Sequence, residues 1–202
     1  MSTEKQWIVG ILLFNEVEVL DFAGPFEVFS VTQYENSSKK PFIVKTISET
    51  GKLITARNGL KIQPDYSIHD DTIHYDILIV PGGHGADKIE IHNTTLLDWI
   101  KVQYDKVDIL ASVCTGAYLL AKVGLLDGKK VTTHWMDTKL LQETFPKLEV
   151  LENVKFVDQG KILTSAGISA GINLSFHIIK RLIDQNTAEA TAKRMEYDIV
   201  IE

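Results

Sequence analysis

The segment Asp108-Ile109-Leu110-Ala111-Ser112-Val113-Cys114-Thr115-Gly116-Ala117-Tyr118-Leu119-Leu120 decides how this chain is read. A short apolar run suits a buried strand, a glycine-containing turn interrupts it, and the apolar pattern resumes as a helix. Strand, sharp turn and helix in that order put the Cys114 thiol at the end of a strand and over a helix N-terminus, the geometry of a nucleophile elbow. Unpaired N–H groups and the positive end of the helix dipole favour a thiolate there. The expected pKa is therefore below the free value of about 8.5. Cys114 is the only cysteine among 202 residues. The competing reading is a small buried hydrophobe, which is what many free cysteines are. Position alone leaves both open.

Outward from this segment, short strand-like runs alternate with longer helical ones. Residues 7–14 form a continuous apolar run, as buried parallel strands do. Residues 22–34 follow as a helix, with Pro25 suited to its first turn. Strands are predicted at residues 42–47 and 77–80, and a short edge piece broken by Pro64 at residues 60–67. Helices are predicted at residues 94–104, from Cys114 to about Val123, at 136–144 and at 169–182. A further strand is expected at residues 131–133. Residues 154–157 and 162–164 flank the hairpin turn Asp158-Gln159-Gly160. Asn186 and Glu189 have the spacing of a capping box for a last helix, to roughly Tyr197. The alternation predicts one α/β domain over residues 1–202, with a mostly parallel central sheet and helices on both faces. Ligands in such sheets bind at the carboxyl ends of the strands.

Composition narrows the function classes. The net charge of −6 and the scattered Lys and Arg residues argue against a nucleic-acid partner, which needs a basic face. A lone cysteine forms no internal disulfide, the N-terminal stretch lacks a signal-peptide pattern, and no apolar run reaches membrane-spanning length. A cytoplasmic protein with no membrane partner is expected.

Candidate chemistry collects at the predicted strand ends. Asp21 lies just past the first strand. A carboxylate beside a thiol opposes thiolate formation when ionised, but donates a proton when burial keeps it neutral. A helix cap is the alternative role for Asp21. Pro81-Gly82-Gly83-His84-Gly85 follows a buried strand and exposes backbone N–H groups suited to a developing negative charge. Thr115 and Gly116 would complete that anion hole. His134 ends a strand as the best-placed imidazole, and Trp135 is expected to wall an apolar pocket; a core histidine beside a packing tryptophan is equally compatible. Ser165-Ala166-Gly167-Ile168-Ser169-Ala170-Gly171 either lines the pocket opposite Cys114 or packs a helix closely on the sheet. His69 and His74, with Asp70 and Asp71, have no usual ligand spacing, so no metal or cofactor is expected. His177, on an apolar helix, is read as structural.

Taken together, Leu20-Asp21-Phe22-Ala23-Gly24-Pro25, Pro81-Gly82-Gly83-His84-Gly85, Ser112-Val113-Cys114-Thr115-Gly116, Thr132-Thr133-His134-Trp135 and Gly167-Ile168-Ser169-Ala170-Gly171-Ile172 resemble the DJ-1/PfpI (ThiJ/PfpI) superfamily over residues 10–197. The sequence is most similar to its isocyanide hydratase branch. The resemblance implies a flavodoxin-like fold of the class I glutamine amidotransferase type and a homodimer. It makes Cys114 the nucleophile that attacks the terminal carbon of R–N≡C to form a thioimidate. Asp21 becomes the proton donor, where many relatives carry glutamate, and water releases an N-substituted formamide. Backbone N–H groups at Gly83, His84 and Thr115 would stabilise charge, and His134, Trp135, Ile168 and Ser169 would line a small apolar pocket. Relatives in the hydratase branch continue further at the C-terminus, so substrate range is expected to differ.

Three functions follow from the resemblance. A hydratase, lyase or hydrolase acting on a small electrophile leads. A glyoxalase-like or oxidation-sensing stress protein is the second, since the acid that would stabilise an oxidised Cys114 is present. A stand-alone ligand-binding regulator is the third; relatives of that kind attach a helix-turn-helix domain, for which this chain has neither the length nor the basic region. Peptidase activity is disfavoured. Thr115 stands where the protease-like branch has histidine, and no histidine follows His177 to form the amidotransferase pair.

Overall fold

The computed structural model describes residues 5–34, 37 and 39–201. In chain order the elements are β1 (Trp7–Leu12), α1 (Val19–Val31), β2 (Phe42–Ser48), β3 (Ile54–Thr55), β4 (Lys61–Ile62), β5 (Tyr66–Ser67), β6 (Ile77–Val80), α2 (His84–Lys88), α3 (Thr94–Lys106), β7 (Ile109–Val113) and α4 (Gly116–Lys122). There follow β8 (Lys130–Val131), α5 (Thr138–Thr144), β9 (Glu149–Val150), β10 (Phe156–Gln159), β11 (Ile162–Ser165), α6 (Ala170–Leu182) and α7 (Gln185–Arg194).

A seven-stranded sheet runs in the order β10-β11-β7-β6-β1-β2-β5. Every neighbouring pair is parallel except β10 with β11, the predicted hairpin. The four residues of β6 and the five of β7 are all buried, as expected for strands covered on both faces. One helical layer is α1 packed on α6 with α7 against both, and another is α4 with α2 and α3. Between the layers and the sheet, Phe29, Phe42 and Phe176 are among the largest fully buried side chains. Phe29 meets Phe42 edge-on with ring centres 4.9 Å apart. The chain is thus a flavodoxin-like α/β sandwich. From β1 it passes to β2 on one side and to β6 on the other. That reversal of strand order leaves a crevice at the carboxyl ends of β1 and β6, with the end of β7 next along.

Three expectations need correction here. The first helix starts at Val19, not Phe22, so Pro25 sits inside it and not in its first turn. The start is set by the preceding loop, where the Glu18 N–H donates to the Gly82 carbonyl at 2.9 Å. The strand expected at residues 131–133 shrinks to β8, which pairs only with β9 outside the main sheet. Thr132 leaves the ladder because its N–H donates to Thr164 Oγ1 at 2.9 Å and its hydroxyl to the Leu151 carbonyl at 2.8 Å. The last helix is capped by Asp184, whose Oδ1 accepts the Thr187 N–H at 2.7 Å, and not by Asn186.

Candidate active site

The strand β7 ends in a backbone that few side chains adopt. Cys114 has φ +55°, in the left-handed region, which costs a non-glycine residue on the order of 1 kcal/mol. The turn is held from both sides. The Cys114 N–H is shared between the Ser165 and Ala166 carbonyls at 3.2 and 3.3 Å, while the Thr133 hydroxyl donates to the Cys114 carbonyl at 2.8 Å. Two glycines let neighbouring backbones close on the elbow. A Cβ at Gly116 would lie 2.1 Å from the Val80 carbonyl oxygen, and one at Gly82 would lie 2.5 Å from the Thr115 nitrogen. The elbow read from the sequence is therefore present, with Cys114 only 6% exposed.

Asp21 is no helix cap. It is the third residue of α1 and fully buried, and its Oδ2 accepts the Gly82 N–H at 3.0 Å. Its Oδ1 is buried without a hydrogen-bond partner among the described residues. Burial raises its pKa from 3.8 to about 7. The Gly82 N–H opposes that rise, the charge of Glu18 adds to it, and the Cys114 side chain and the Ile168 N–H oppose it more weakly. The carboxyl thus titrates near neutrality.

The thiol departs from expectation. Burial, and next the charge of Asp21, push the Cys114 pKa up, while the Thr115 and Ile168 N–H groups act against that rise. The backbone N–H groups at the helix N-terminus lose to desolvation because the sulfur sits under cover. Burial and the neighbouring Asp21 carboxyl therefore favour a protonated Cys114 thiol over a free thiolate.

The anion hole is also built differently. The Gly83 N–H donates to Thr115 Oγ1 at 2.9 Å, and the Thr115 hydroxyl returns a bond to the Gly83 carbonyl at 3.3 Å, so Gly83 is engaged within the fold. The N–H groups that act on the sulfur are those of Thr115 and Ile168. Ile168 has φ +52°, an unusual backbone for a β-branched residue, and it is this turn that brings its N–H to the pair. Nothing in the sequence marked Ile168 as a donor, since donation by a backbone N–H is independent of side-chain type.

A cleft of about 250 Å³ opens over Cys114, walled by Thr115, Gly83, His84, His134 and Ile168 among the residues singled out above. His134 Nδ1 lies 3.4 Å from Asp137 Oδ2. Its ring packs so closely on Gly167 that a Cβ there would fall 1.9 Å from Cδ2, which accounts for that glycine. Trp135 does not wall this cleft: it is 75% exposed and borders a separate groove with Thr132 and Glu152. Ser169 likewise faces another cavity, with Phe156 and His177. The cleft is not purely apolar, because Glu18, Arg57, Asp87 and Asp137 line it beside Met136 and Ile168. None of these four was read from the sequence, although the place of Asp137 three residues after His134 is a signal that could have marked it. The others arrive from loops and helices whose approach no local pattern encodes. His177, outside this cleft, is bonded through Nε2 to Asp158 Oδ2 at 2.8 Å.

Residues 8–181 match the DJ-1/PfpI family, and the chain belongs to it. It is 32% identical to an isonitrile hydratase of Pseudomonas putida over 94% of this chain and 78% of that protein. It is also 28% identical to the HTH-type transcriptional regulator GbdR of Pseudomonas aeruginosa, over 94% of this chain but only 50% of the regulator. Among solved structures, DJ-1beta of Drosophila melanogaster superposes with a TM-score of 0.83 at 18% identity, over 96% of this chain and all of that one, a likeness of fold.

Proposed function

We propose that the protein hydrates isonitriles to N-substituted formamides, with Cys114 as nucleophile and Asp21 as its proton partner. The observation that carries this reading is the buried Cys114–Asp21 pair on the floor of the cleft at the strand-order reversal. The likeness to an isonitrile hydratase supports it. A protonated thiol is a competent reactant here, because addition to an isonitrile consumes a proton. As the sulfur bonds to the terminal carbon, the proton held by the pair passes through Asp21 to that carbon and gives the thioimidate R–N=CH–S. Water then adds to the same carbon, a proton goes to nitrogen, and the C–S bond breaks. The products are R–NH–CHO and the original thiol–carboxylate pair, so atoms and protons balance. The Thr115 and Ile168 N–H groups offset charge on sulfur in both steps.

The discriminating experiment incubates the protein with aryl and alkyl isonitriles and, separately, with methylglyoxal, following formamide and lactate. Formamide without lactate is expected. Lactate alone would move the assignment to glyoxalase chemistry, and selective peroxide oxidation of Cys114 with neither product would move it to oxidation sensing. A homodimer is part of the proposal; sedimentation as a single 22.6 kDa chain would remove it.

A further inference from the structure

Breakdown of a thioimidate needs a base for the attacking water, and that water arrives from the cleft, whereas Asp21 is fully buried beneath it. Among the groups of the wall, Glu18 is bound to Arg57 at 3.0 Å and Asp87 to Lys88 at 2.8 Å. His84 is exposed at the start of α2, but His134 is held. The two segments that fix the Cys114 backbone also fix the His134 ring. Thr133, the residue before it, donates its hydroxyl to the Cys114 carbonyl at 2.8 Å. The Ala166 carbonyl, which accepts the Cys114 N–H at 3.3 Å, precedes the glycine on which the ring lies. A Cβ at Gly167 would fall 1.9 Å from His134 Cδ2 and 3.1 Å from Nε2, so this edge faces the Gly167–Ile168 turn. The N–H of that turn acts on the sulfur. The other edge places Nδ1 3.4 Å from Asp137 Oδ2 and 3.4 Å from the Met136 nitrogen. At equal distance a carboxylate outweighs a backbone amide. Nδ1 therefore carries the ring proton, and Nε2 keeps its lone pair beside the Ile168 turn.

We infer that His134 is a catalytic residue of the second half-reaction, the base that takes a proton from the attacking water, with Asp137 as its positioning residue. The inference rests on the proposed hydration. As the water oxygen bonds to the thioimidate carbon, one water proton passes to Nε2 and the electron pair of the C=N bond moves to nitrogen. The imidazolium, held by Asp137, gives that proton to the nitrogen. The C–S bond then breaks with its electron pair returning to sulfur, and the hydroxyl proton passes to the sulfur as the formamide carbonyl forms.

A single-turnover experiment with butyl isonitrile separates the two steps, following the Cys114 adduct by intact mass and the formamide by chromatography. His134→Asn should form the thioimidate within about threefold of the wild-type rate and release formamide at least about a hundredfold more slowly, so that the adduct accumulates. Imidazole added to His134→Gly should speed release from its adduct. Asp137→Asn, whose amide can donate to Nδ1 and move the ring proton to Nε2, should slow release by about tenfold or more with the same adduct, and Asp137→Glu should recover most of the loss. Release from His134→Asn at the wild-type rate overturns the inference and leaves hydration standing. So does loss of adduct formation in step with release, or an imidazole-insensitive adduct in His134→Gly. Absence of formamide from the wild type ends hydration and this role together.

Discussion

The proposed chemistry rests on two residues, and each answers to its surroundings more than to its type. Cys114 was legible from the strand–turn–glycine pattern around it, and so was a nearby acid at Asp21. The sign of the thiol shift was expected the wrong way round, because the burial that raises it depends on tertiary packing over the sulfur. The wild-type thiol should stay protonated beyond the free value of about 8.5, and in Asp21→Asn it should titrate lower, since the carboxylate charge that raises it is gone. Thiolate absorbance against pH checks both; a wild-type thiol ionised by pH 7 would contradict this description of the pair. Asp21 makes a further prediction through linkage. Its folded pKa, about 7, lies above the unfolded value near 3.8. The folded state therefore binds more protons between those values. The stability this confers is fully present below about pH 3.8 and is lost as pH rises through about 7. Asp21→Asn should gain on the wild type by up to on the order of 4 kcal/mol between pH 4 and pH 8 in denaturant titrations. A pH-independent difference would mean that Asp21 is ionised throughout.

At the scale of elements, the sequence was most readable where a strand is buried on both faces. The predicted bounds of β6 coincide with the observed Ile77–Val80, because a continuous apolar run between turn residues has few alternatives. It was least readable where side chains displace backbone pairing. Residues 132–134 looked like the end of a sheet strand, yet Thr132 is tied to Thr164 by its hydroxyl partner and only β8 remains extended. That detour carries Thr133 to the Cys114 carbonyl and His134 to the cleft wall. The junction of β6, β7 and α4 depends on Gly116, whose missing side chain lets α4 sit against the carbonyls of Val80 and Pro81. Gly116→Ala should destabilise the protein by roughly 1–3 kcal/mol and slow Cys114 alkylation by shifting the elbow. Unchanged unfolding and unchanged alkylation would show that the contact can relax freely.

For the molecule as a whole, the alternating pattern led to the parallel sheet and its covering layers. Strand order was not legible, since the reversal between β2 and β6 around β1 arises from long-range packing. That reversal gathers Asp21, Gly82 and Cys114 from segments far apart in the chain into one crevice. It also places Glu18, Asp87 and Asp137 around the opening, so that charged side chains join its apolar walls. No described helix is long and apolar enough to cross a membrane. The account's central claim is that this crevice hydrates isonitriles through Cys114. Its most direct test is formamide release from an isonitrile by the wild type and by Cys114→Ala, each shown to be folded. The wild type should release formamide catalytically, and the variant should be slower by at least about a thousandfold. No formamide from the wild type, or equal rates from the two proteins, would contradict it.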